Sequence, residues 1–276
     1  MLDDERTFEQ IKHHYVIEKE LSNKLRTASK EDRCHLYTSL YDEFYERVPI
    51  QPQLINKASA EKSTNAVSSQ MGFLRRFLKN HKIFMEIGPG DCALSFMVSN
   101  HVTKIYAVDV SREITKNVNA PENFELILSN GTSIPLPNNS VDIAYSNQLM
   151  EHLHPDDAFE QLENIYNVLI KGGTYICCTP NRLSGPHDVS KYFDKIATGF
   201  HSKEYSVAEL HNLFKTVGFC KTNLYVGAKG IYIRFPLFLI IFFENILNIL
   251  PDFFGKKIAS MQILRPFLGI RIVGIK

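Results

Sequence analysis

The amino-acid sequence predicts an α/β fold: a doubly wound, mostly parallel sheet of seven strands with a helical extension ahead of it. Three observations predict it. Short apolar runs recur at Ile83–Ile87, Ile105–Val108, Phe124–Leu128, Val141–Tyr145 and Thr174–Cys178, with helical stretches between them. Strands alternating with helices form a parallel sheet covered on both faces. The first run ends in a glycine turn, Glu86-Ile87-Gly88-Pro89-Gly90-Asp91-Cys92. The first 80 or so residues carry only helical periodicity.

The chain has 276 residues, enough for one large domain with additions. Hydrophobic residues make up 44% and charged residues 22%, the balance of an ordinary folded chain. A formal net charge of +1 lacks the basic excess of nucleic-acid binders, so no nucleic-acid partner is expected. Five cysteines occur, at 34, 92, 177, 178 and 220, with no Cys-x-x-Cys pair. They read as reduced thiols rather than a disulfide framework or zinc knuckle. Met1-Leu2-Asp3-Asp4-Glu5 is acidic with no apolar run behind it, unlike a signal peptide. A cytoplasmic chain is the expectation.

Residues 1–80 form the helical extension. Ile11, Val16, Ile17, Leu21 and Leu25 lie near one stripe of a first helix. Ser29, with Asp32 three residues on, opens a second over 30–47, which Pro49 and Pro52 stop. A third runs over about 65–79. These helices either cap a site or pack on the core. Residues 81–227 form the sheet core. Within it, Phe159, Leu162, Ile165, Tyr166 and Leu169 mark a helix over about 156–170, with Gly172 as its C-cap. Ser206 with Glu209 opens another helix, which ends at Gly218. Strands over about 223–226 and at 270–275 complete the count, the latter inside a final core segment, 269–276.

Between those strands, residues 228–268 form a hydrophobic insertion. Phe235 to Phe243 is almost unbroken apolar sequence. The run is short of the roughly 20 residues that cross a bilayer. Glu244, Asn245 and Asn248 share one helical face, so 235–250 reads as a helix lying in a membrane surface or as a greasy lid.

The glycine turn allows close approach of backbone to a ligand at the carboxyl ends of parallel strands. It also satisfies a dinucleotide fingerprint through Gly88, Gly90 and Ala93. Asp109 ends the next run, where a carboxylate accepts hydrogen bonds from ribose hydroxyls. An adenine nucleoside fits both features, with NAD and S-adenosylmethionine still open.

The residues at successive strand ends resemble the class I S-adenosylmethionine-dependent methyltransferases. Glu86-x-Gly88-x-Gly90 is similar to the family's first motif, and Tyr106-Ala107-Val108-Asp109 to its ribose-binding strand end. Ser129-Asn130-Gly131 through Asp142 resembles its adenine-side loop and fourth strand. Asn147-Gln148-Leu149-Met150-Glu151-His152 follows that strand, and Lys171-Gly172-Gly173 matches the glycine turn before the fifth. The resemblance spans about 82–227 and the final strand. It implies S-adenosyl-L-methionine as cofactor, held by Glu86, Gly88, Gly90, Asp109, Asn130, Gly131 and Asn147. It also implies that the last two strands form an antiparallel pair at the sheet edge. Two departures stand out: Cys92 replaces a frequent third glycine, and Asn130 a frequent aspartate.

Methyl transfer needs alignment and often a base for the acceptor's proton. His152, after the fourth strand, suits that role because histidine titrates near neutral pH. His154 is a second candidate, and His187, beside Asp188, a third. The segment around His187, with Tyr192, Phe193 and His201, reads as a substrate-side loop. Spacing along the chain shows no metal triad, so no metal is expected. The acceptor implied is a small molecule, glycan or lipid-linked hydroxyl compound. An NAD-dependent oxidoreductase, or a non-catalytic cofactor-binding partner subunit, are the alternatives.

Overall fold

The computed structural model describes residues 6–49, 60–80, 82–111, 119–228, 230–259, 261 and 264–276. Met1–Glu5 and Pro52, which entered the sequence reading, lie outside them. The extension comprises α1 (Phe8–Thr27), α2 (Lys30–Arg47) and α3 (Ala60–Leu74). The sheet core follows as β1 (Ile83–Ile87), α4 (Ala93–Ser99), β2 (Lys104–Asp109), β3 (Phe124–Leu128), β4 (Val141–Asn147), α5 (Pro155–Val168), β5 (Leu169–Thr179), α6 (Val207–Val217) and β6 (Lys221–Ala228). Then come β7 (Ile231–Phe235), α7 (Leu237–Ile249), α8 (Asp252–Ala259), α9 (Arg265–Leu268) and β8 (Ile270–Ile275).

The strands form one sheet in the order β3-β2-β1-β4-β5-β8-β6-β7. The pairs from β3 to β5 are parallel, and β8 runs antiparallel to both β5 and β6. The expected mostly parallel sheet with an antiparallel last strand is therefore present. It carries an eighth strand beyond the seven expected: β7 pairs antiparallel with β6 and occupies the edge, in sequence assigned to the insertion.

Alternation along the strands sends side chains to two cores. Met85, Ile87, Ala144, Tyr175 and Cys177 face one core, together with α2, α5 and α6. Phe84, Ile143, Tyr145, Ile176 and Cys178 face the other, with α3 and α4. Period-two alternation in a sheet covered on both faces produces this division.

Local signals set most helix ends. Ser29 accepts from the Asp32 N–H, and Ser206 forms a full capping box with Glu209. Gly218 takes a left-handed conformation and closes α6. Two elements depart from expectation. The third helix starts earlier, at Ala60, and ends at Leu74. Gly172 is not a helix C-cap: α5 ends at Val168, and Leu169 already pairs with Val141 of β4. Gly172 instead relaxes a bend early in β5, at φ +79°.

Candidate active site

The loop after β1 is built on Gly88 and Gly90, at φ +67° and +61°, where a side chain would be strained. A Cβ at Gly88 would press on Leu149 at 3.1 Å, whereas one at Gly90 would meet nothing within 4 Å. Gly90 therefore presents bare backbone to open space. Cys92 takes φ +61° at the N-cap of α4 with no side-chain cap, and is fully buried. A glycine would adopt that conformation without strain.

A cavity of about 570 Å³ opens above this loop, within the range of small-ligand sites. Gly88, Gly90, Asp109, Ser129 and Gly131 line its sheet side. Asp109 ends β2, and its Oδ1 accepts from the Ser111 N–H at 3.0 Å. Gly131 sits at φ +102°, and the Tyr37 ring would lie 2.5 Å from a Cβ there, so both the backbone and the space require glycine. The residues present fit an adenine nucleoside: exposed glycine backbone, a carboxylate at the ribose position and a groove at the end of β3.

Three residues expected at the cofactor do not line this cavity. Glu86 lies behind the loop, 5% exposed, and accepts from Ser95 Oγ at 2.5 Å. Burial pushes its carboxyl up to about 8. Asn130 turns its amide oxygen into its own loop, accepting from the Thr132 and Ser133 N–H groups at 3.2 and 2.9 Å. Asn147 lines a neighbouring cavity instead.

The second wall is α2, whose role the sequence left open. Tyr37, Tyr41 and Tyr45, four residues apart, face the cavity. That spacing was the available signal, although aromatic stripes at helical spacing also mark plain packing faces. A buried clamp fixes this helix to α5. Arg33 Nε and Nη2 donate to Asp157 at 2.6 Å each, and Tyr37 Oη donates to the same carboxylate at 2.6 Å. Burial raises the Asp157 carboxyl, but the bonds from Arg33 and Tyr37 carry it down on balance.

Two neighbouring cavities share lining residues with this one. Gln148, at the unusual φ of +54°, lines both this cavity and one of about 510 Å³ that holds Asn147, Asn181, His187 and Arg271. A smaller space of about 210 Å³ joins Tyr41 and His152 to His187, Lys191 and His201. The loop around His187 thus lines cavities that share Gln148, Tyr41 and His152 with the first one.

The histidines differ sharply. His152 follows β4 in a short 3₁₀ turn, Met150–His152, with Nδ1 3.0 Å from Tyr41 Oη. Burial, then the neighbouring His201, pulls its imidazole down to about 3. His154 caps α5 by accepting from the Asp156 N–H at 3.3 Å, outside the lining of these cavities. His187 pairs with Glu204, Nδ1 to Oε2 at 3.3 Å, and its own N–H donates to Oε1 at 2.7 Å. The pairing with Asp188 that adjacency suggested does not form. Asp188 instead accepts from Ser190 and from the Gly199 N–H. Glu204 also holds His201 Nδ1 at 2.7 Å, and is held down to about 2: burial raises it, but the bonds from His187 and His201 outweigh that. The loop bearing His201 is tied to α1: Arg26 Nη2 donates to the His201 carbonyl at 2.7 Å, and the Phe200 N–H to Glu18 at 2.8 Å.

The insertion also meets this site. Ala259 and Leu268 line the cavity of His187. Glu244, expected on an exposed polar face with Asn245 and Asn248, is 1% exposed. Its carboxylate accepts from Asn181 Nδ2 at 2.8 Å and from the Val207 and Ala208 N–H groups at 2.9 and 3.1 Å. These are unpaired amides at the start of α6, where an anion is favoured. The outer face of α7 carries Phe238, Phe242 and Ile249, exposed at 69, 64 and 84%.

Comparison with known proteins bears on the same segment. Residues 85–177 match the family described as a methyltransferase domain. A protein of Mycolicibacterium smegmatis named "Probable S-adenosylmethionine-dependent methyltransferase" is 28% identical over 136 residues, 49% of this chain and 51% of that protein. A namesake from Mycobacterium tuberculosis is 27% identical over 49% of this chain and 47% of its own length. The chain spans about half the length of these curated relatives. Among solved structures, a SAM-dependent methyltransferase from Archaeoglobus fulgidus superposes with a TM-score of 0.54 at 16% identity, covering 86% of this chain and 99% of that one.

Proposed function

We propose, from the premise that this chain carries a class I S-adenosylmethionine-dependent methyltransferase domain, that the protein transfers a methyl group to an acceptor hydroxyl. The acceptor is a small-molecule, glycan or lipid-linked compound, and a histidine takes its proton. One observation carries the reading. The cavity over the glycine loop and Asp109 shares Gln148 with one cavity that His187 lines, and Tyr41 and His152 with another.

The cofactor supplies a methyl group already activated on a positively charged sulfur. The protein has to hold, align and deprotonate. Gly88 and Gly90 allow backbone contact, Asp109 takes the ribose, and Ser129 and Gly131 flank the base. Glu86 and Asn130 brace this shell from behind, and Asn147 serves the acceptor side. His187, oriented by Glu204 and partly exposed to the cavity, is the base. His152 stays neutral at cellular pH and fixes Tyr41. A peripheral contact of α7 with a membrane brings a lipid-linked acceptor to the cavity that Ala259 and Leu268 line.

Incubation with methyl-labelled S-adenosylmethionine and a fractionated cell extract tests this. Label is expected in a lipid, glycan or small-molecule fraction. Asp109→Ala should weaken cofactor binding by about 2–4 kcal/mol, the loss of two charge-assisted hydrogen bonds, and abolish labelling. Cofactor binding without transfer to any fraction would favour a non-catalytic partner subunit instead.

A further inference from the structure

One cluster beside the site joins His152 to two residues, Glu151 and His201, that have no role in this scheme. A carboxylate oxygen of Glu151 and one ring nitrogen each of His152 and His201 lie within 4.8 Å of one another. Spacing along the chain hides the set, since His201 comes from the loop before α6 while its companions follow β4. The two rings meet edge to face, with centroids 4.9 Å apart.

Each member is anchored through its other polar atom. Thr179 Oγ1 donates to Glu151 Oε2 at 2.8 Å. Glu204 holds His201 Nδ1 at 2.7 Å, and Tyr41 stands 3.0 Å from His152 Nδ1. That leaves Glu151 Oε1 and one further ring nitrogen on each histidine, with the Phe200 carbonyl also bonding to the His152 ring. Glu151 Oε1 is fully buried, and among the described residues nothing bonds to it. An unpaired buried carboxylate oxygen is costly and calls for a partner. The ion pairs of Glu204 are both with histidines.

We infer that Glu151, His152 and His201 bind a divalent transition-metal ion, zinc above others. Two imidazoles and one carboxylate are borderline donors that suit zinc, and three protein ligands leave a coordination position open. His152 and His201 border the cavity that His187 also lines. Glu204 behind His201 supplies the carboxylate that commonly orients a metal-bound imidazole. Bonds of about 2.1 Å place donor atoms about 3.4 Å apart, so the cluster tightens when it takes up the ion. The carbonyl of Phe200, which acts on His152 through a hydrogen bond, is the competitor that the ion displaces.

The test is independent of methyl transfer. The full-length protein, stripped with EDTA, is titrated with Co²⁺ and then Zn²⁺ without cofactor or acceptor. One equivalent of Co²⁺ should bind and give visible bands of a low-coordinate site with nitrogen and oxygen ligands, which Zn²⁺ removes. Glu151→Gln and His201→Ala should each weaken binding at least about ten-fold, as loss of a ligand requires. Exposed His13→Ala should leave it unchanged. Circular dichroism checks that each variant folds, and Glu151→Gln keeps the shape of the side chain. No stoichiometric uptake by the parent would overturn the inference and leave the cluster a hydrogen-bonded network. Thiolate-to-cobalt bands, or affinity unchanged in both variants, would also overturn it by locating the ion elsewhere.

Discussion

Glu86 shows how far a motif determines a residue. Its position at the end of β1 was readable, but not the direction of its side chain, which packs against Ser95 behind the loop. Burial first, and then the nearby Asp91, raises its carboxyl to about 8 from 4.5. The folded state therefore holds a proton that the unfolded state releases above pH 4.5. The stability this contributes is complete below that value and is lost as pH rises towards 8, at about 1.4 kcal/mol per unit. Glu86→Gln cannot lose that proton. Urea unfolding at pH 5 to 8 should show the parent losing stability relative to the variant across this window. Parallel profiles would mean that the carboxyl ionises freely. Asn130 teaches the same lesson: its loop was placed correctly, yet the turn consumes its amide oxygen. Gly88, Gly90 and Asp109 were readable because backbone conformation and strand ends, not side-chain direction, decide their place.

At the scale of elements, α2 was readable to the residue, because Ser29 and Asp32 define its start. Its function as a cavity wall was not, since it depends on Arg33 meeting Asp157 across the fold. That pair is almost fully buried and bidentate. Removing one partner leaves the other charge unpaired, a loss of about 3–5 kcal/mol. Asp157→Asn should lower unfolding stability by that amount in denaturant titrations. It should also weaken cofactor binding, because Tyr37, Tyr41 and Tyr45 ride on the same helix. A change below about 1 kcal/mol would mean that packing alone holds α2. Two of the misread elements, the end of α5 and β7, share one cause, which is long-range pairing. Gly172 follows an apolar helical period and looks like a C-cap, but pairing with β4 draws Leu169 into a strand. Likewise β7 is strand only because β6 offers an edge.

For the whole molecule, the insertion is inside out. Glu244 is committed to Asn181 and the start of α6, which fixes the rotation of α7. Phe238, Phe242 and Ile249 then point outwards, and Ile231 and Ile233 of β7 add to the exposed apolar surface. Patches of this kind mark contact surfaces. No helix among the described residues is long and apolar enough to cross a membrane; under the proposed function this face lies in the membrane interface. Each large side chain moved from water into the acyl boundary contributes about 1.5–3 kcal/mol, so three of them dominate the partition. The triple variant Phe238→Ser, Phe242→Ser, Ile249→Ser removes that contribution and spares Glu244. The parent should co-sediment with vesicles containing phosphatidylglycerol, and the variant should remain in the supernatant with its unfolding midpoint nearly unchanged. Equal sedimentation of both, or none by the parent, would remove the membrane from the proposed function and leave the methyl acceptor to be sought among dissolved compounds.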